Sequence, residues 1–289
     1  CWCNSELFTL ALCPNSAGRP LNSIKLIWHS TANEVTVLEK AINYDKSFEI
    51  YDARANENGI VWVESNIRDN HWILYAAELT SSGTMSTPIE LDSSKNDKQM
   101  PGICVSGNYA FWQLSPIDST NTETCELKKS SFGRNNAETI YTSKGPFACA
   151  PYMAKDGVVI CPRAESSAII YQPTYIDSKS NQVLDQISLP TPIKPLLATY
   201  GSQGFSFCLD QIYKGSDGIG QLGTYCPSWL SAGKDYDEAK WFRFTKTPSS
   251  SPVDCGDYYV VKSRSSLCCI DFKQMNYFQI DPPVGAESY

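Results

Sequence analysis

One pattern constrains this chain of 289 residues more than any other. A turn signal followed by a short β-branched or aromatic run recurs six times at a near-constant interval. The instances are Asn4-Ser5-Glu6 before Leu7–Leu12, Asn58-Gly59 before Ile60–Val63, Gly107-Asn108 before Tyr109–Leu114, Asp156-Gly157 before Val158–Cys161, Gln203-Gly204 before Phe205–Leu209 and Gly256-Asp257 before Tyr258–Val261. The centres of the runs fall near residues 10, 62, 112, 159, 206 and 260, in steps of 52, 50, 47, 47 and 54. A repeat of this length is one supersecondary unit that cannot bury its apolar face alone and must stack against its neighbours. Asn-Gly and Asp-Gly read as hairpin turns in which both central residues are expected at positive φ.

Each unit continues in the same order. A second run follows at Ile24–Trp28, Trp72–Ala76, Thr124–Leu127, Ala168–Tyr171, Leu222–Tyr225 and Leu267–Asp271. A third closes the unit at Glu34–Leu38, Thr87–Leu91, Glu138–Tyr141, Val183–Leu189, Trp241–Phe244 and Tyr277–Ile280. Units two to six are each preceded by a short innermost candidate, such as Phe48–Tyr51 and Gly102–Val105. No segment sustains an i, i+3, i+4, i+7 apolar pattern, so helical layers are not expected. The expected fold is all-β: a β-propeller of six four-stranded blades around a central channel, since about 40–50 residues make one such blade. The blades fall at 1–46, 47–98, 99–144, 145–192, 193–250 and 251–289, in a single domain over 1–289. The first unit shows no innermost strand, and because an open ring leaves an unpaired sheet flank, either Pro282–Tyr289 is expected to supply it or residues upstream of Cys1 are.

In turn placement and full-length periodicity the chain resembles six-bladed propellers of the loosely defined TolB-like group, as found in exported bacterial proteins. The resemblance covers essentially the whole chain. It lacks a recurrent Trp-Asp blade end, a kelch-type Gly-Gly pair and a sialidase Ser-x-Asp-x-Gly-x-Thr-Trp box. What it implies is therefore architecture and no function.

Hydrophobic residues at 42% and aromatics at 12% supply a core, which excludes the disordered class. A net charge of −7, with no Lys/Arg cluster longer than Lys128-Lys129, disfavours nucleic acid and anionic lipid as partners. The longest apolar run, Leu7–Cys13, is interrupted by Thr9 and falls far short of the ~18 residues of a membrane span. Twelve dispersed cysteines without a C-x-x-C, and only two histidines, offer no zinc spacing, so no metal or cofactor is expected. The even cysteine count reads as disulfides in an oxidising compartment. The expected location is secreted or cell-surface, with a signal peptide removed ahead of Cys1 and a lipid anchor on Cys1 as the variant. None of the sixteen asparagines has Ser or Thr two positions on, which leans towards a bacterial source. Hairpin symmetry pairs Cys149 with Cys161 and Cys208 with Cys226, with pairing between adjacent blades as the alternative. Cys268 and Cys269 point to opposite faces of a strand and are expected to take different partners.

Catalytic motifs are sparse. Gly204-Phe205-Ser206-Phe207-Cys208 lacks the second glycine of a nucleophile elbow. Gly218-Ile219-Gly220 falls in a β loop rather than ahead of a helix. The better guide is propeller geometry, in which the loops joining second strands to third, and fourth strands to the next first, gather at one mouth. Those loops hold Glu64, Arg68, Asp69, His71, Arg163, Glu165, Asp210 and Arg264, with Trp112 on a strand feeding the same funnel. Carboxylates, guanidinium groups and aromatics together suit a glycan, peptide or protein ligand. The expected function is an exported binding module, monomeric and more readily a binder than an enzyme. One alternative is a glycosidase or lyase, which needs two carboxylates ~5–9 Å apart, drawn from Glu64, Glu165 and Asp210. Another is a structural domain of a cell-surface assembly.

Overall fold

The computed structural model describes residues 7–14, 23–117, 123–154, 156–165, 168–189, 193–202, 204–209, 224–227, 242–243, 252–263, 266–271, 274 and 276–281. These hold six antiparallel sheets, each a meander of consecutive strands. Sheet 1 is β1 (Phe8–Cys13), β2 (Ser23–Trp28) and β3 (Glu34–Leu38). Sheet 2 is β4 (Glu49–Asn56), β5 (Gly59–Asn66), β6 (His71–Glu78) and β7 (Ile89–Lys95). Sheet 3 is β8 (Ile103–Ser106), β9 (Tyr109–Leu114), β10 (Thr124–Ser131) and β11 (Glu138–Lys144). Sheet 4 is β12 (Tyr152–Ala154), β13 (Gly157–Ile160), β14 (Thr174–Asp177) and β15 (Val183–Gln186). Sheet 5 is β16 (Pro195–Gly201), β17 (Gly204–Leu209), β18 (Thr224–Pro227) and β19 (Phe242–Arg243). Sheet 6 is β20 (Val253–Cys255), β21 (Tyr258–Ser263), β22 (Ser266–Asp271) and β23 (Asn276–Ile280). The protein is all-β, arranged as a β-propeller with five complete four-stranded blades.

Against the expected six such blades, sheet 1 has three strands among the described residues. Register slips mark the pairing of third and fourth strands in sheets 2, 3 and 4, between Leu74 and Tyr75, Leu127 and Lys128, and Tyr175 and Ile176. They also mark the pairing of first and second strands in sheets 2 and 5, and the pairing of β2 with β3 between Ile24 and Lys25. Such a bulge sharpens the local twist of a strand pair.

The chain divides into two compact units, 1–145 and 146–289. In the first unit the apolar core forms two layers. Phe8, Leu10, Ile24 and Leu26 of sheet 1 meet Ile60 and Trp62 of sheet 2. Val61, Val63, Trp72 and Leu74 of sheet 2 meet Ile103, Val105 and Trp112 of sheet 3. Side chains alternate faces along a strand, so a strand covered on both faces is apolar without interruption. That is why β5 reads Ile60-Val61-Trp62-Val63 and is buried along its whole length. Each large side chain so buried contributes about 1.5–3 kcal/mol. In the second unit Tyr175, Ile187, Leu189, Phe205 and Phe207 share one layer, and Cys208, Tyr259, Val261 and Ile270 another. First hairpins of neighbouring sheets are also tied together: Asn56 Nδ2 donates to Gly107 O at 2.8 Å, and Ser202 Oγ donates to Asp254 Oδ1 at 3.2 Å.

Tyr175 and Tyr200 stack at 4.3 Å with their rings 11° from parallel, and the Tyr200 hydroxyl donates to Asp185 Oδ2 at 3.1 Å. Burial, then the neighbouring Asp185 charge, push the Tyr200 hydroxyl up to about 12. Burial raises Tyr175 as well. A phenol held neutral in the folded chain, but titrating near 10 when unfolded, stabilises the fold below pH about 10. That contribution is lost as pH rises towards 12. Alkaline titration followed by tyrosinate absorbance is expected to show a late class that Tyr200→Phe removes, together with part of the stability loss above pH about 10. A titration with no late class would refute the assignment.

Candidate functional site

β5 ends at Asn66 and β6 begins at His71. Between them Ile67–Asp69 makes a 3-10 turn, closed by Asn70 at φ 46°. Asn66 fixes this turn, its Oδ1 accepting from Asp69 N at 3.4 Å. Its amide donates to Asp69 Oδ2 at 3.2 Å and, across the gap, to Lys46 O at 3.3 Å. On that far side the connection from β3 to β4 makes a second 3-10 turn, Tyr44–Lys46, closed by Ser47 at φ 65°. A depression of about 440 Å³ lies at these two turns. Tyr44, Ser47, Phe48 and Glu49 line it from one segment, and Ser65, Asn66, Ile67 and Arg68 from the other. Arg68 is exposed, and Ile67 is 71% exposed.

Glu64 sits beneath this region and is fully buried. Its Oε1 accepts from Ile42 N at 2.6 Å and Trp62 Nε1 at 3.2 Å. Its Oε2 accepts from Asn43 N at 3.0 Å and Asn43 Nδ2 at 3.3 Å. All four partners are donors, which suits the acceptor-only carboxylate. Asn43 Nδ2 also donates to the Tyr75 hydroxyl at 2.8 Å, and the Tyr75 ring stacks on Trp62 at 5.5 Å. Glu64 thus fastens the β3–β4 connection, one wall of the depression, to β5. His71, half-buried, meets Phe48 edge-on at 4.9 Å.

Of the residues singled out in sequence, Glu64, Arg68 and His71 therefore come together around one depression in different roles. Arg68 lines it, Glu64 holds its wall from below, and His71 packs on the lining Phe48. Trp112 lies apart, in the core between sheets 2 and 3. Its indole donates to Asp92 Oδ2 at 2.9 Å, and Lys128 Nζ lies 3.3 Å from the same oxygen. In the second unit Arg163 forms an isolated bridge with Tyr171, and Glu165 is exposed in the same loop. Asp210 and Arg264 lie outside the described residues. Sequence reasoning missed Tyr44, Ser47, Phe48 and Glu49. Tyr44, Ser47 and Phe48 belong to the connection from β3 to β4 and Glu49 opens β4; they carry no motif. A second depression, of about 470 Å³, is lined by Asn58, Glu78, Tyr109 and Arg134 at the opposite strand ends of sheets 2 and 3.

No disulfide is formed among the described residues. Cys208 is registered opposite Tyr225 and Cys226 opposite Phe207. The pairing axis of this hairpin thus passes between residues 216 and 217, and the two cysteines are not direct cross-strand partners. Cys149 and Cys161, by contrast, lie in thiol–thiol contact. Among the described residues no His/Cys/Asp/Glu cluster has the form of a metal site, and no helix is long and apolar enough to cross a membrane.

No protein-family model matches the sequence, and no curated protein matches it. Solved structures do. One from a study of two prolyl endopeptidases superposes with a TM-score of 0.52 at 10% identity, over 96% of this chain and 42% of that one. The chain therefore spans less than half the length of that protein. The oligogalacturonate lyase of Vibrio parahaemolyticus superposes with a TM-score of 0.52 at 10% identity, over 97% and 80% of the two chains. Kluyveromyces lactis Hsv2p gives 0.51 at 8% identity, over 91% and 84%. At such identities the likeness carries the fold alone, and what it establishes is that this chain is a β-propeller.

Proposed function

We propose that this β-propeller is an exported binding module whose ligand, a polar chain such as a glycan or peptide, sits in the depression at the Tyr44–Lys46 and Ile67–Asp69 turns. The observation that carries the reading is that the walls are fixed by the chain itself. Glu64 clamps the backbone at residues 42 and 43, and Asn66 links its own turn to the opposite one. Walls fixed in advance reduce the ordering cost of binding. Arg68, Glu49 and Ser47 offer charges and hydrogen-bonding groups beside the rings of Tyr44 and Phe48, a mixture suited to hydroxyl- or amide-rich ligands. Counting sheet 1 as a sixth blade accords with the TolB-like group, and the dispersed cysteines accord with an extracytoplasmic setting.

Glycoside cleavage needs two carboxylates facing one bond, ~5–9 Å apart. Among the described lining residues the carboxylate is Glu49, and Glu64 on the paired strand is committed to four internal donors. Binding is therefore favoured over turnover at this site. The test is an array of neutral and uronate-containing oligosaccharides, run beside a peptide array. Retention is expected on one class. Loss of a charge-assisted hydrogen bond, worth about 1.5–3 kcal/mol, should weaken it tenfold or more in Arg68→Ala. Arg134→Ala, which removes the same charge at the other strand ends, should leave it unchanged. Retention that survives both Arg68→Ala and Ile67→Glu, or product release without retention, would sink the proposal.

A further inference from the structure

We propose that Cys149 and Cys161 are a redox pair that closes into a disulfide, stapling the first hairpin of sheet 4. The proposal is independent of what the depression binds. Cys161 follows β13 and is fully buried; Cys149 precedes β12, is half-buried, and packs against the same core cluster. The β12–β13 ladder pairs Tyr152 with Val159, and Ala148 N donates to Cys161 O at 2.8 Å beyond its end. The two cysteine-bearing segments are therefore joined through their backbones. That bond places Ala148 against Cys161, so Cys149 is the diagonal neighbour of Cys161, one position from direct register; a disulfide spans Cα separations of roughly 4.4–6.8 Å. The side chains already meet: the two thiols are in hydrogen-bond contact, within a cluster that includes Ala154, Tyr171, Ile193 and Phe207.

The two thiols differ in access, which orders the chemistry. Cys149, reached from solvent, attacks a small-molecule disulfide as its thiolate. This forms a mixed disulfide and releases one small thiol. Cys161 then gives up its proton and attacks the Cys149 sulfur, forming the protein S–S bond and releasing the second small thiol. The protein thiols lose two protons and two electrons, and the small disulfide gains both. Contact with Cys149, and then burial, hold the Cys161 thiol well above its ordinary range, so the second step is slow near neutral pH and faster in alkali. Once formed, the bond lies against a dry core and is shielded from reductants.

The test exposes the full chain to oxidised glutathione, then denatures it, alkylates it and maps its peptides without reduction. The expected result is one cross-linked peptide pair containing Cys149 and Cys161, in near-full yield. The melting temperature should rise by roughly 5 °C over the reduced chain, since the staple restricts the unfolded state. The rise should be absent in Cys149→Ala. Peptide mapping of the unmutated chain decides the matter even if the variant folds poorly. Both cysteines alkylated after oxidation, or each linked to a different partner, would overturn the pairing.

Discussion

Replacing Glu64 by leucine is expected to destabilise the first unit by about 3–5 kcal/mol, because four donors gathered on one fully buried carboxylate would lose it together. A buried donor left without a partner costs about 1–3 kcal/mol, and the four losses are not additive because they share one group. Leucine keeps the bulk and strips the carboxylate acceptor from Ile42 N, Asn43 N and Trp62 Nε1, while Asn43 Nδ2 keeps only the Tyr75 hydroxyl. Glutamine retains one oxygen and turns an amide nitrogen towards the remaining donors, so about half that loss is expected. Urea unfolding of the full chain, followed through tryptophan emission, reads the change, since Trp62 is fully buried beside Glu64. Binding should also fall, although Glu64 does not line the depression, because the wall carrying Tyr44 and Phe48 is released. If Glu64→Gln unfolds at the wild-type urea midpoint, the carboxylate is not what secures that wall.

Glu64 also shows where sequence reasoning reaches and where it stops. Most strands were legible because a short β-branched or aromatic run after turn residues recurs in each unit, and the recurrence revealed the stacking; the run expected at Ala168–Tyr171 is the exception, since the strand there is Thr174–Asp177. Side-chain direction on β5 was not legible. Alternation separates core from solvent only when one face is wet, and β5 is buried on both. A carboxylate at position 64 therefore looked like a loop charge near a mouth, when it is an acceptor inside a wall. Trp112 fails to declare itself for the same reason, its strand being buried on both faces over nearly its whole length. Arg68 was legible because it stands in a short exposed turn. Its partners across the depression were not, since Tyr44, Ser47 and Phe48 lie in a connection with no turn signature and Glu49 opens the strand after it. For Cys208 and Cys226 the hairpin axis lies half a residue from the expected one, and the β12–β13 ladder between Cys149 and Cys161 is offset by the same half residue.

Gly157→Ala is expected to destabilise the second unit by about 3 kcal/mol, well beyond what a turn glycine usually commands. Asp156-Gly157 reads in sequence as a turn whose central residues take positive φ. In the structure neither residue does, although Gly107, Gly204 and Gly256 in the corresponding turns have φ of 54°, 89° and 76°. Glycine is required at 157 by a close approach. A Cβ there would lie 2.2 Å from Ile176 O and 2.6 Å from Tyr175 Cε2. Neither neighbour can yield cheaply. The first is the backbone of β14, paired with β13 through Val158 and Ile176. The second belongs to a ring stacked on Tyr200. The turn is held too, because Ser178 N donates to Asp156 O at 3.0 Å and the Ser178 hydroxyl donates to the same oxygen. Gly256 makes the contrasting case: its φ is left-handed, yet a Cβ there would meet nothing within 4 Å. Gly256→Ala carries the torsional penalty alone, about 1 kcal/mol. Denaturant unfolding of the two variants side by side separates these origins. If Gly256→Ala proves as damaging as Gly157→Ala, backbone torsion rather than the β14 carbonyl sets the requirement for glycine in these hairpins.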